Sequence, residues 1–166
     1  MDYYQGVVLD YLRADRTVFV NPECCIQLNE NPNPDKSGAH WYCDAVAVDF
    51  RAKAVYLCEI SYATKLSAMI DRLKQWNANW LDLQKALVRD CKVPHDWPVR
   101  PWLFVPELCI PTLVAKLKAI VGNDGLAVFQ PRITSLESVQ PWQYCSWNHQ
   151  DKDTKKSDCI PAAMQV

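Results

Sequence analysis

Apolar residues near the start of the chain recur at helical spacing. Tyr4, Val7, Val8, Tyr11 and Leu12 share one side of a helix predicted over residues 2–13, in spite of Gly6. The period then shortens. Residues 17–20 and 23–28 are rich in β-formers and predict a first strand, with Pro22 between them marking a bulge or an edge position. Residues 29–38 hold two prolines, three asparagines and a Ser-Gly pair, the chemistry of a surface loop. Two further β-rich runs, 41–50 and 54–60, flank the polar break Arg51-Ala52-Lys53 and predict an antiparallel hairpin. From 64 to 91 the residues Met69, Leu73, Trp76, Trp80, Leu83 and Leu87 step by four and three, which predicts one long helix with a continuous apolar stripe. Pro94, Pro98 and Pro101 end it and introduce a short buried strand over 102–105. Pro111 and Thr112 open another helix, through Leu113, Val114, Leu117 and Ile120, which Gly122 closes, and residues 126–130 predict a last strand. The order of elements specifies an α/β fold with a mixed central β-sheet flanked by helices.

Composition narrows what such a fold does. The 166 residues, 49% hydrophobic and 22% charged, suit one domain over residues 1–147 with a polar C-terminal tail over 148–166. No apolar run approaches the ~20 residues of a membrane span, and the first residues carry no secretory pattern, so the expected location is the cytoplasm. The eight cysteines are scattered, mostly in strand-like contexts, and read as reduced core residues. Cys91 and His95 alone are too few ligands for structural zinc. A net charge of −1 does not provide the basic field of a protein that holds duplex DNA by electrostatics alone. Contact with nucleic acid must therefore be local, for instance through a metal that itself supplies positive charge.

The hairpin supplies a place for one. With Arg51 and Ala52 at the centre of the turn, paired residues have numbers summing to 103, and Asp44 falls opposite Glu59. Two carboxylates ~5 Å apart repel by ~3 kcal/mol at an effective dielectric of 20. A shared proton, a nearby lysine or a divalent metal offsets this, and oxygen ligands of this kind suit Mg²⁺ or Mn²⁺; two side chains splayed into solvent would need none of these. Alternation turns Leu57, Glu59 and Ser61 to one face of the strand.

Asp44, a gap of fourteen residues across a hairpin, and then Glu59-Ile60-Ser61 at a strand end resembles the PD-(D/E)XK nuclease superfamily, with Ser61 where that motif has lysine. The resemblance spans roughly residues 2–105, because helix, three-strand meander, helix and strand is also the order of its restriction-endonuclease-like core. It implies that Asp44 and Glu59 bind Mg²⁺ or Mn²⁺. It further implies that a lysine recruited from the following helix, Lys65, orients the attacking water, since Ser61 supplies no charge. Lys65, Arg72, Gln75 and Asn79 line one flank of the long helix. Gln75 loosely resembles a glutamine found on this helix in RecB-type relatives, whereas an ordinary solvated helix face explains Arg72, Gln75 and Asn79 equally well. Ser61, Arg72 and Gln75 are thus candidates for substrate contact.

The expected activity is metal-dependent hydrolysis of phosphodiester bonds in DNA, by a carboxylate-held ion that activates water and stabilises charge. The expected partners are DNA and a second copy of the chain. The alternatives are a nuclease fold that has lost catalysis and serves as a binding or assembly module, or an interaction protein using an aromatic surface around Trp97, Trp102, Trp142 and Trp147. Glu23, on the strand beside the hairpin, is a further candidate ligand, and Asp2, Gln5 and Asp10 compete for a first-helix contribution. His40 stands at a loop end. Trp76 and Trp80 belong to the core stripe rather than to a base-stacking surface.

Overall fold

The computed structural model describes residues 2–28, 40–121 and 131–145. Helix α1 (Tyr3–Ala14) leads into strands β1 (Val18–Gln27), β2 (His40–Asp49) and β3 (Ala54–Ile60). Helices α2 (Ser67–Ala78) and α3 (Trp80–Cys91) follow, then β4 (Val99–Val105), a 3-10 turn at Glu107–Cys109, α4 (Ile110–Val121) and β5 (Arg132–Ser135). The strands lie in the order β1-β2-β3-β4-β5. The first three form an antiparallel meander, and β3, β4 and β5 run parallel, so the fold is α/β with a mixed sheet. No helix among the described residues is long and apolar enough to cross a membrane.

The sheet is buried on both faces. Helix α1 sets Val8, Leu9 and Leu12 against Ala45, Ala47, Tyr56, Trp102 and Phe104 on one side. On the other, Leu73, Trp76, Leu83 and Leu87 from α2 and α3, with Leu113 and Leu117 from α4, cover Val46, Val55, Leu57 and Leu103. Burial on two faces explains why β3 reads as an unbroken apolar run rather than an alternating one.

The stripe from Met69 to Leu87 is buried as its spacing predicts, but it does not lie on one helix. Asn79 interrupts it. The Asn79 Nδ2 donates to the Gln75 carbonyl at 3.0 Å, taking the acceptor that its own N–H would use in a continuous helix, and that N–H turns to the Trp76 carbonyl instead. The start is also later than expected. Leu66 is buried in a left-handed conformation (φ 51°), so the helix opens at Ser67 and Lys65 stays in the preceding turn.

The hairpin follows its predicted register: Ala45 pairs with Cys58 and Asp49 with Ala54, all summing to 103. The turn is set by Asp49, whose Oδ1 accepts from the N–H groups of Arg51 and Ala52 at 2.9 Å each. Pro22 lies on an edge strand, where its missing N–H costs no ladder bond. No extra residue is inserted beside it, because the β1–β2 register is constant from Val18↔Asp49 to Gln27↔His40. The predicted strand over 126–130, Gly122 and the tail lie outside the described residues. The last strand observed is Arg132–Ser135, which the β-former pattern does not single out.

Candidate functional site

The β1–β2 ladder changes face in the middle. Val18 and Val20 on β1, with Ala45 and Ala47 on β2, pack on the α1 side, whereas Cys24 and Ile26, with Trp41 and Cys43, pack on the opposite side. Residues of one parity thus switch faces between 22 and 24 on β1 and between 43 and 45 on β2. Both strands switch at the same rung, which is why the register does not slip. Glu23, at φ 51°, takes the left-handed residue on β1, and Asp44 stands across from it on β2.

The switch frees the Asp44 side chain to turn into the sheet. Its Oδ2 accepts the Ile60 N–H at 2.7 Å, so a carboxylate replaces a strand carbonyl at the end of β3. Its Oδ1 accepts the Gln5 Nε2 of α1 at 3.1 Å. Of the three polar residues of α1 that the sequence leaves in competition, Gln5 is the one that reaches the site. Asp2 is spent on the capping box of α1, exchanging bonds with Gln5, and Asp10 is exposed.

One step beyond Ala45↔Cys58, the same count brings Asp44 opposite Glu59, as the turn predicts. Glu59 is 3% exposed. Its two oxygens both lie 2.7 Å from Nη1 of Arg72 on α2, and the Asp44 backbone N–H also favours the ionised form. Burial and the Asp44 charge outweigh these contacts and push the Glu59 carboxyl up to about 8. Burial raises the Asp44 carboxyl as well, against the Ile60 N–H, Arg72 and Gln5. Two acids thus share one arginine, and the pair is under-compensated.

The cation on this pair is Arg72 and not Lys65. Lys65 is exposed in the turn before α2, where its carbonyl accepts from the Lys116 Nζ at 3.5 Å. The expectation of a lysine on the first turn of the helix fails because Leu66 delays that turn. Arg72 is therefore no ordinary solvated side chain, although it is 39% exposed. Only its Nη1 meets Glu59, and no bond to Nε or Nη2 is recorded among the described residues. Ser61 continues the sheet, donating its N–H to the Phe104 carbonyl at 2.9 Å, while its Oγ accepts the Ala63 N–H at 3.3 Å. Gln75 is exposed, and its backbone carbonyl accepts from the Asn79 Nδ2. Glu23 is exposed on the edge strand. His40 opens β2.

No group of three or more His, Cys, Asp or Glu side chains gathers around a common point among the described residues. Asp44 and Glu59 fit a hard divalent cation by donor type and by their shortage of positive charge, with further oxygen ligands to come from backbone, water or substrate. The aromatic surface expected around Trp97, Trp102, Trp142 and Trp147 is not a cluster. Trp102 is in the core with its Nε1 on the Thr134 hydroxyl at 2.8 Å, Trp142 is exposed, and Trp147 lies outside the described residues. Tyr4, which its spacing sets on the apolar side of α1, stacks instead on Tyr62, which no pattern marks out, with ring centroids 5.1 Å apart. No protein-family model matches the chain, and no curated protein or solved structure gives a significant match.

Proposed function

We propose that the chain is a divalent-metal-dependent nuclease that hydrolyses phosphodiester bonds in DNA, built on a restriction-endonuclease-like core. The observation that carries this reading is the buried Glu59, set against Asp44 with only one arginine between them. The element order supports it: α1, a three-strand meander, α2 with α3, and a parallel β4 follow the order of the PD-(D/E)XK core that the motif resembles. Asp44 and Glu59 hold the ion, and Gln5 fixes one Asp44 oxygen. Arg72 keeps Glu59 in place and directs its remaining N–H groups to the charge that grows on the phosphoryl oxygens, the task the resemblance gives to a lysine. Bound there, Mg²⁺ or Mn²⁺ supplies Lewis-acid charge and an acidified water.

The test is incubation of the purified chain with single- and double-stranded DNA plus Mg²⁺ or Mn²⁺, beside Asp44→Ala. Cleavage that the variant lacks supports the proposal; no cleavage of any substrate, or equal cleavage by the variant, overturns it.

One observation favours a second reading, a nuclease-like fold without catalysis that serves as a binding or assembly module. Arg72 contacts both Glu59 oxygens, and Ser61 has turned its hydroxyl back to its own loop. A built-in cation of this kind can stand in for a metal. Under this reading, Mn²⁺ produces no binding heat that depends on Asp44 and Glu59.

A further inference from the structure

Three tyrosines cluster where α1 begins and the chain leaves β3. Tyr4 of α1 stacks on Tyr62, just past β3, with ring planes 22° apart, and Tyr3 meets Tyr4 edge to face at 5.4 Å. Tyr3 is 69% exposed and Tyr62 57%. The cluster adjoins the site through both of its chains. Tyr4 precedes the Gln5 that bonds Asp44, and Tyr62 lies three residues beyond Glu59. Tyr4 is anchored, because it also packs against the core on the α1 side. Its contact with Tyr62 therefore fixes the position of a ring whose outer side faces water.

Positive charge is close at hand. Lys65 lies in the same 61–66 loop as Tyr62 and is exposed, and the Lys116 Nζ reaches the Lys65 carbonyl. Lys116 also lines a cleft of about 390 Å³ between α2 and α4, on whose wall Lys74 is paired with Asp71 at 3.5 Å. The 61–66 loop thus joins an aromatic cluster to the exposed Lys65 and Lys116.

We infer that Tyr3 and Tyr62 form a stacking platform for the bases of single-stranded DNA, with Lys65 and Lys116 taking its phosphates, so that the site receives an unpaired strand rather than a duplex. Exposed tyrosine faces bind bases only where these are unstacked from a partner strand. A chain of net charge −1 lacks the field that holds duplexes without regard to sequence. A few local lysines with aromatic faces suffice for a single strand. The choice of DNA rests on the function proposed above, whereas the platform itself does not require hydrolysis.

The experiment measures binding apart from cleavage. Fluorescence anisotropy of a labelled oligothymidylate and of a duplex of the same length is followed in EDTA at low salt, for the full chain and for Tyr62→Ala, Tyr3→Ala, Tyr62→Trp and Lys65→Ala. The single strand binds more tightly than the duplex. Loss of either tyrosine weakens it roughly 5- to 150-fold, the range for one base stacked on one ring. Tyr62→Trp retains binding, and Lys65→Ala flattens the salt dependence by about one phosphate contact. Unchanged melting curves separate loss of stacking from loss of fold. Preference for the duplex, or tyrosine variants that bind as the parent does, overturns the platform. If tyrosine-dependent binding persists but no DNA is cut with Mn²⁺, hydrolysis fails and the platform stands. If DNA is cut and the tyrosines do not matter, the platform alone fails.

Discussion

A buried acid meets an arginine at each end of the β2–β3 hairpin, and the two ends differ in how the charge is met. At the turn end, Asp15 is 2% exposed and Arg51 grips it with both nitrogens, Nη1 to Oδ2 at 2.8 Å and Nη2 to Oδ1 at 3.1 Å. The N–H and hydroxyl of Thr17 complete the shell at 2.9 Å each. Asp49 beside it is satisfied by the N–H groups of its own turn. At the open end, Glu59 meets a single nitrogen of Arg72 and lies against the second acid, Asp44. Burial of a carboxylate is therefore no sign of function by itself. The turn end is a finished structural joint, whereas the open end retains an unmet demand for positive charge.

Removing each arginine separates the two roles. Arg72→Ala is expected to lower the rate of DNA cleavage roughly 100- to 1,000-fold, the usual loss for one donor aimed at transition-state charge. It costs little stability below about pH 8, where Glu59 holds a proton. Arg72→Lys restores part of the rate. Single-turnover cleavage and thermal melting of the same samples check both halves. Arg51→Ala reverses the pattern: about 2 kcal/mol of stability is lost and cleavage of the folded fraction is unchanged. The cost stays at or below the lower end for a broken buried pair because the Arg51 side chain is 44% exposed. Equal effects of the two variants on stability and rate would erase the distinction between the ends.

The pH dependence of metal-free protein probes the open end alone. Folding raises the Glu59 carboxyl from its ordinary value to about 8, so the fold favours the protonated acid. The stability this contributes is complete below pH 4.5 and is lost as pH rises through 8. Urea unfolding in EDTA should show a fall on the order of 4 kcal/mol from pH 5 to pH 8.5, and Glu59→Gln should remove most of that slope. A parent protein as stable at pH 8.5 as at pH 5 contradicts the under-compensated pair.

These distinctions were only partly legible in the sequence. The hairpin register could be read because a short turn fixes the pairs beyond it, and it holds from Asp49↔Ala54 to Ala45↔Cys58, where the ladder ends one step short of Asp44 and Glu59. The apolar stripe gave the right core residues from Met69 to Leu87. What periodicity does not carry is backbone detail set by single side chains. Asn79 breaks the helix through one bond to Gln75, and the left-handed Leu66 withholds the first turn from Lys65. Arg72 over Glu59 depends on how α2 sits on the sheet, a tertiary fact that local sequence does not contain. The face switch at Glu23 and Asp44 leaves no trace in the alternation. The β-branched Val18 and Val20 share parity with Cys24 and Ile26, yet they pack on opposite sides.

The smallest expected effect concerns Asn79. Asn79→Ala removes the side chain that claims the Gln75 carbonyl and supplies a better helix former, so α2 and α3 should merge with a stability change within about 1 kcal/mol. Hydrogen exchange at the backbone N–H of position 79, compared between parent and variant, reports the new bond as increased protection. Cleavage should not change, because Arg72 lies two turns earlier; altered cleavage would mean that the break between the helices sets the position of Arg72.

The open end is expected to take a divalent ion, and calorimetric titration with Mn²⁺ at pH 7 in two buffers of different ionisation enthalpy tests this directly. One ion per chain is expected, releasing most of one proton as the metal displaces it from Glu59, with the heat lost in Asp44→Asn and in Glu59→Gln. No saturable heat, or heat that both variants retain, would contradict it.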